Sequence, residues 1–143
     1  MRGSAAEVLE LLRDYLPALH PSGVAAAYLF GSHAEGRAHA ESDFDLGVLF
    51  DFQALPSRKA RFDRSLELSS SLATALHTDR VDLIILNDAP PGLGARIVGE
   101  GERVYVSDPE AEHAFRRDVQ LRAADLIPFI ARTSRLKLES LGR

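Results

Sequence analysis

Apolar residues recur along this chain with two different spacings, and the first is helical. Between residues 8 and 19 they return every three or four positions, which is typical of one buried helix face. Ser4 and Glu7 form a capping box ahead of this segment, and Pro17, in its last turn, and Pro21, just beyond it, end the pattern. We therefore predict a first helix that begins after Ser4 and ends at these prolines.

The second spacing alternates, and it predicts β-strands. Phe44, Leu46, Val48 and Phe50 take every second position, so they would share one face of a strand. Four segments have strand length and are bounded by turn residues: Val24 to Phe30, Phe44 to Phe50, Val81 to Leu86 and Arg103 to Val106.

The longest helical segment runs from Pro56 to about His77. We predict that its core-facing stripe holds Phe62, Leu66, Ala73 and Leu76, because these residues recur with helical spacing. Its basic residues are interpreted as a solvated face: Arg58, Lys59, Arg61 and Arg64.

The last predicted helix begins at Asp108-Pro109, because an N-cap aspartate followed by proline favours helix initiation. Pro128 predicts a kink or a break within it. A short helix is expected at residues 94–98. This mixture of helices and short strands predicts one α/β domain that covers residues 1–143.

Composition narrows the classes of function. The chain is 45% hydrophobic and 27% charged, as a globular domain is, and no apolar run reaches the roughly 18 residues of a membrane span. Cysteine is absent, which excludes disulfides, thiolate zinc sites and a cysteine nucleophile. The net charge of −4 argues against a direct nucleic-acid partner. Since the N-terminus lacks a secretory signal, we expect a cytoplasmic protein without a membrane partner.

The first candidate for chemistry is Gly31-Ser32, which ends a predicted strand. One or two helical turns are predicted to follow over residues 32–38. Glycine lets the backbone approach a ligand closely, and free N–H groups at a helix start attract phosphate. The Ser32 hydroxyl would donate one more hydrogen bond. These residues are therefore candidates for binding a nucleotide phosphate.

The second candidate is a set of three aspartates. Asp43 and Asp45 lie two apart in a strand, so their carboxylates share a face, roughly 6–7 Å apart at the backbone. Such charges repel each other unless a cation lies between them, and Mg²⁺ prefers oxygen ligands. Asp82 begins another apolar strand and joins the cluster if the two strands pair. This predicts a site for two metal ions, with Asp82 as shared ligand and general base toward an attacking hydroxyl.

The spacing of these motifs resembles that of a known superfamily. Gly31-Ser32, ten residues, then Asp43-x-Asp45 is similar to the signature of the DNA polymerase beta-like nucleotidyltransferases. The run from Ser42 to Leu46 resembles the minimal nucleotidyltransferase branch, and within it the antitoxins of HEPN/MNT toxin–antitoxin pairs. Residues 81–86 and 101–109 also resemble that branch, so the likeness spans nearly the whole chain.

The resemblance implies a nucleotidyltransferase fold, with a small mixed β-sheet of about four strands flanked by helices. It further implies that the protein uses ATP and two Mg²⁺ ions to adenylylate a tyrosine of a HEPN ribonuclease toxin. The toxin is thereby silenced, in a hetero-oligomer with the antitoxin. Metal-binding and catalytic roles are implied for Asp43, Asp45 and Asp82, and nucleotide-binding roles for Gly31, Ser32, Arg37 and Ser42.

Two positions depart from the family pattern. Many relatives carry arginine where this chain has Glu35, and a bulkier residue is commoner at Gly47. Arg37, two positions beyond Glu35, is interpreted as the replacement for the missing cation. The departures concern triphosphate affinity more than metal binding.

Two other functions stay open at this point. The protein would modify a small hydroxylated molecule, such as an aminoglycoside, if it offered the acceptor a deep, acidic second pocket. It would be a non-catalytic antitoxin if it neutralised a toxin by occlusion alone. The small size of the chain favours the adenylyltransferase, because a lone catalytic domain has little surface for selecting a small acceptor.

Overall fold

The computed structural model describes residues 5–18, 23–31, 44–78 and 80–141. Each predicted strand is present within one residue of its predicted bounds, because alternation and flanking turn residues limit a strand on both sides. In chain order the elements are α1 (Ala5–Ala18), β1 (Val24–Phe30), β2 (Phe44–Phe50), α2 (Arg58–Leu76), β3 (Val81–Ile85), a 3-10 turn (Leu86–Asp88), α3 (Pro91–Glu100), β4 (Glu102–Val106) and α4 (Pro109–Leu141).

Within the described ranges, the four strands form one mixed sheet in the order β3-β2-β1-β4. β2 pairs with β3 in parallel, whereas β1 is antiparallel to both β2 and β4. Helices α1 and α2 pack on one face of the sheet, and α3 and α4 pack on the other. The predicted α/β fold, a small mixed sheet flanked by helices, is confirmed.

Side-chain alternation along β2 divides the core into two clusters. Phe44, Leu46, Val48 and Phe50 are buried in the cluster that contains α1 and α2. Leu49, on the opposite face, is buried in the cluster that contains α3 and α4. The predicted period of two is confirmed, and packing on both faces holds β2 rigidly within the sheet.

The predicted core stripe of α2 is wrong in its first half. Phe62 and Leu66 are 55% and 56% exposed, and the buried stripe begins instead with Arg61 and Ser65. Both stripes have helical spacing, so periodicity does not distinguish them. The polar stripe is buried because its polar atoms have partners: Ser65 donates to the Phe62 carbonyl at 2.6 Å, and Arg61 pairs with Asp88.

The interpretation of Arg61 as part of a solvated face is also wrong. Its guanidinium donates two hydrogen bonds to Asp88, at 3.1 Å and 2.8 Å, and a third to the Leu55 carbonyl at 3.0 Å. It also lies 5.3 Å from the centroid of the Phe52 ring. Helix α2 is thereby fastened to the turn after β3, and hydrogen bonding from Arg61 holds the pKa of Asp88 below its usual range.

Helix α4 begins where the Asp108-Pro109 motif predicts. Asp108 Oδ1 accepts a hydrogen bond from the Ala111 amide at 3.1 Å, as an N-cap does. We predicted a kink or a break at Pro128. The helix continues through this residue to Leu141, so it is not broken there. Proline removes one hydrogen bond of a helix, and the other bonds of this long helix remain. In the described ranges no helix has both the length and the apolar composition of a membrane span.

A buried polar cluster around Tyr28 joins α4 to the sheet. Tyr28 is 1% exposed, and its hydroxyl donates a hydrogen bond to Glu112 and accepts one from Arg116 at 3.2 Å. Arg103, from β4, forms an ion pair with Glu112 at 3.4 Å. Burial, reinforced by the bond to Glu112, raises the pKa of Tyr28 to about 12. The Tyr28 hydroxyl is therefore protonated at neutral pH, and the cluster fixes α4 against β1 and β4.

Gly47, one of the two departures from the family pattern, is buried in β2 against α3. A Cβ at this position would lie 2.8 Å from Ile97 Cγ2 and 3.3 Å from Leu86 Cδ2. We expect Gly47→Ala to lower the free energy of unfolding by about 1–3 kcal/mol, because the β-branched Ile97 has little freedom to move. Urea denaturation measures this loss.

Gly99→Ala, in α3, is the control for this substitution. A Cβ at Gly99 would meet no heavy atom within 4 Å, so the variant should gain about 0.5–1 kcal/mol of stability. Ile97→Leu removes the colliding methyl group and should recover part of the loss in the Gly47→Ala background. Equal stability of the Gly47→Ala variant and the wild type would contradict the prediction.

Candidate active site

Three of the residues singled out in the sequence meet at one edge of the sheet: Gly31, Asp45 and Asp82. Because β2 and β3 are parallel, both strands begin at this edge, and β1, antiparallel to β2, ends there. Phe30 pairs with Asp45 at the end of β1, and Gly31 follows directly. We call this place the carboxylate edge.

Asp45 and Asp82 are direct neighbours across the parallel pair. They are register partners, and adjacent strands lie about 4.8 Å apart. Both side chains point to the sheet face of α3 and α4, because the residues flanking each aspartate pack on the other face. Asp45 is half-buried and Asp82 is exposed, so the pair opens toward solvent. The strand pairing on which the predicted cluster depends is therefore present.

Gly31 contacts the Asp45 carboxylate closely. Its backbone has a φ of +77°, in the left-handed region that favours glycine. A Cβ at Gly31 would collide with Asp45 Oδ2 and lie 3.2 Å from Asp45 Cγ. Sequence reasoning predicted Gly31 for phosphate binding and missed this contact, because it depends on the register between β1 and β2.

The other predicted site residues lie outside the described residues: Ser32, Arg37, Ser42 and Asp43. The helical turns predicted over residues 32–38 lie outside them as well. Within the described part of the chain, no group of three or more histidine or acidic side chains is arranged to hold a metal ion. The donor chemistry of Asp45 and Asp82 still fits a hard divalent cation. Two adjacent carboxylates repel each other, and a cation between them relieves that repulsion.

A separate acidic pocket, of about 560 Å³, lies at the opposite end of the sheet between the end of β2 and the first turns of α4. Its ionisable lining residues are Asp51, Asp108, Asp118 and Arg122. Asp118 pairs with Arg122 at 3.2 Å, and Asp51 accepts the Gln53 amide at 2.8 Å. Counted along β2, the pocket lies about 15–20 Å from Asp45. Its walls come from segments far apart in the chain, so the sequence did not indicate it.

Comparison with known families identifies one that covers the carboxylate edge. The sequence pattern of the family described as "Polymerase beta, Nucleotidyltransferase" matches residues 14–110. That range includes all strands of the described sheet, together with Gly31, Asp45 and Asp82.

Individual proteins are similar over most of the chain. The protein adenylyltransferase MntA of Shewanella oneidensis is 34% identical over 106 residues, which are 74% of this chain and 68% of that protein. A chain in the crystal structure of a toxin–antitoxin complex with AMP-PNP has a TM-score of 0.57 and 27% identity, covering 91% of this chain and 98% of its own. A chain in the crystal structure of the toxin–antitoxin pair MntA–HepT has a TM-score of 0.50 and 25% identity, covering 91% and 96%.

Proposed function

This chain belongs to the polymerase beta nucleotidyltransferase family, and on that premise we propose that it is an adenylyltransferase antitoxin. It transfers AMP from ATP to a tyrosine hydroxyl of a HEPN ribonuclease toxin, with which it forms a hetero-oligomer. The modification silences the toxin. The observation that carries the proposal is the placement of Asp45 beside Asp82, with Gly31 against Asp45, at one edge of the sheet.

The similar proteins support the class of acceptor, the nucleotide and the partner in this proposal. The relative from Shewanella oneidensis is a protein adenylyltransferase, so its acceptor is a protein. The complex with AMP-PNP, an ATP analogue, supports ATP as the nucleotide. The MntA–HepT complex supports a toxin as the partner. Since the reaction consumes ATP, we place it in the cytoplasm.

In the proposed mechanism Asp43, Asp45 and Asp82 would hold two Mg²⁺ ions. When bound, the ions would neutralise charge on the phosphate oxygens and favour ionisation of the attacking hydroxyl. Asp82 accepts the proton of the tyrosine hydroxyl. The tyrosine oxygen forms a bond to the α-phosphorus of ATP while the bond from that phosphorus to pyrophosphate breaks, and pyrophosphate leaves.

The other residues implied by the family pattern bind the nucleotide in this proposal. The backbone N–H groups of Gly31 and Ser32 and the Ser32 hydroxyl donate hydrogen bonds to phosphate oxygens. Arg37 supplies the cation that Glu35 does not, and Ser42 contacts the nucleotide beside the metal ligands. Together these groups hold the triphosphate so that its α-phosphorus faces the carboxylate edge.

The acidic pocket does not suit a small acceptor such as an aminoglycoside, because of its position in the described part of the chain. Reacting atoms must come within about 3–3.5 Å of each other. A molecule in that pocket would be held about 15–20 Å from Asp45, beyond the reach of a bound hydroxyl. Its carboxylates Asp118 and Asp51 also have partners within the chain already.

We expect the toxin to gain one or more adenylyl groups when it is incubated with this protein, ATP and Mg²⁺. Intact-mass spectrometry of the toxin counts the groups added, and peptide mapping locates the acceptor tyrosine. The toxin is to be sought in the adjacent reading frame, as a short helical protein with closely spaced arginine and histidine. Its ribonuclease activity should fall as the modified fraction rises.

The control donor for this experiment is α,β-methylene-ATP, in which the bond between the α- and β-phosphorus atoms is not cleaved. AMP-PNP is unsuitable as this control, because its altered linkage joins the β- and γ-phosphorus atoms. The bond from the α-phosphorus to the leaving group can still break in it. Modification with ATP and none with α,β-methylene-ATP is the expected result. A toxin whose mass stays unchanged with ATP and Mg²⁺ would refute the proposed function.

A further inference from the structure

We infer that Gly31 is a positioning residue: it leaves the space that the Asp45 carboxylate occupies, and so fixes where that carboxylate meets a metal ion. The inference rests on the proposed function, in which Asp45 is a metal ligand. It assigns Gly31 a role beyond the close approach to phosphate that the sequence indicates.

Backbone conformation accounts for glycine here only in part. Gly31 has a φ of +77° where β1 ends, and Gly23 has a φ of +83° just before β1 begins. Side chains with a Cβ rarely adopt this region, which glycine enters freely. Both positions therefore favour glycine, and conformation does not distinguish them.

The two glycines differ in the atom that occupies the place of the missing side chain. A Cβ on Gly31 would collide with Asp45 Oδ2 and lie 3.2 Å from Cγ and 3.4 Å from Cβ of the same aspartate. A Cβ on Gly23 would meet Leu55 Cδ1 at 3.0 Å, which is the end of a flexible side chain. A methyl group at position 31 therefore displaces a carboxylate, and one at position 23 displaces an apolar group.

The Asp45 backbone cannot retreat from such a collision, because β2 is an inner strand of the sheet. Asp45 pairs with Phe30 on one side and with Asp82 on the other. The side chain must rotate instead, which moves its oxygens relative to Asp82. Misplacing a reacting group by about 1 Å lowers a rate about 10²-fold.

Gly31→Ala and Gly23→Ala form a matched pair of variants, since both place a Cβ on a left-handed backbone and only the first meets Asp45. Calorimetric titration of Mn²⁺ with saturating α,β-methylene-ATP measures metal binding without turnover. We expect Gly31→Ala to weaken Mn²⁺ binding about 10–100-fold and AMP transfer about 10²-fold. Gly23→Ala should leave both unchanged.

A double-mutant cycle tests the contact without metal or nucleotide. In the Asp45→Ala background the carboxylate is gone, so Gly31→Ala should destabilise the protein less. The factor by which Gly31→Ala raises the unfolding equilibrium constant should be about fivefold smaller in this background than in the wild type. Gly23→Ala should have the same effect in both backgrounds. Gly31→Asn serves where the alanine variant does not fold, because asparagine tolerates the left-handed region and still carries a Cβ.

Equal Mn²⁺ binding by the Gly31→Ala and Gly23→Ala variants would overturn the inference, as would equal effects of Gly31→Ala in both backgrounds. A loss of nucleotide affinity with unchanged Mn²⁺ affinity would also overturn it and leave Gly31 with phosphate contact alone. A wild-type protein that fails to modify the toxin would refute the proposed function instead. The double-mutant cycle would then still decide whether Gly31 positions Asp45.

Discussion

Replacing Asp45 with asparagine should lower kcat/KM for AMP transfer at least about 10³-fold, since a lost metal contact removes several kcal/mol of transition-state stabilisation. The substitution keeps the size of the side chain and removes the charge that a hard cation requires. Asp82→Asn should have an effect of the same order, because Asp82 is proposed both as a ligand and as the acceptor of the tyrosine proton. Intact-mass analysis of the toxin over time measures both rates.

Asp118→Asn is the control for these variants, since it removes one carboxylate from the acidic pocket at the opposite end of the sheet. It should keep the wild-type rate. The Asp45→Asn variant should also keep its fold, because the buried neighbours Phe44 and Leu46 are unchanged. An Asp45→Asn variant that transfers AMP normally would contradict the metal role of the carboxylate edge. An inactive variant that still neutralises the toxin in cells would favour occlusion alone.

Asp88→Ala should lower the free energy of unfolding by about 3 kcal/mol, the largest stability effect that we expect from a single polar contact. Its partner Arg61 has a side chain that is only 7% exposed. Without Asp88, the guanidinium keeps the Leu55 carbonyl and the Phe52 ring but loses its counter-charge. A buried, unpaired charge accounts for the loss, which urea denaturation at neutral pH measures.

The loss of stability caused by Asp88→Ala should depend on pH in a defined direction. Hydrogen bonding from Arg61 lowers the pKa of Asp88 in the folded protein, so the unfolded chain binds the proton more readily. The contribution of the pair is therefore present above the ordinary aspartate pKa of about 4 and disappears as the pH falls through the lower folded value. The difference between wild type and Asp88→Ala should be largest near neutral pH and should shrink below about pH 4.

Two further variants separate the buried pair from an ordinary surface pair. Asp63→Ala breaks an ion pair with Lys59 whose side chains are 53% and 85% exposed, and it should cost at most about 1 kcal/mol. Arg61→Leu combined with Asp88→Ala should be less destabilising than Asp88→Ala alone, because no charge is then left buried. Asp88→Ala and Asp63→Ala variants of equal stability would disprove the importance of the buried pair.

Periodicity predicted the strands well and the orientation of α2 poorly, for a physical reason. In β2 the apolar residues occupy one face at every second position, and the structure buries that face. In α2 two neighbouring stripes had helical spacing, and the more apolar one, with Phe62 and Leu66, is exposed. The prediction from hydrophobicity was wrong there because Arg61 is buried in an ion pair with Asp88, which lies 27 residues further along the chain.

The candidate site was predicted only in its parts. The sequence placed Asp82 at the start of an apolar strand and left open whether that strand pairs with the one that carries Asp45. The structure pairs them in parallel and in register, so that the two carboxylates are neighbours. The contact between Gly31 and Asp45 likewise required the antiparallel register of β1 and β2.

The sequence by itself determined the bounds of the strands to within one residue, the start of α4 and the buried face of β2. These features follow from local backbone geometry, which repeats every two residues in a strand and every 3.6 in a helix. The sequence also supplied the candidates for carboxylate and phosphate-binding chemistry, whose roles stay predictions. Only the tertiary structure decided the strand order, the register that brings Asp45 to Asp82 and to Gly31, and the burial of Arg61 against Asp88. These depend on contacts between residues far apart in the chain, and no local pattern encodes which distant partner a residue will meet.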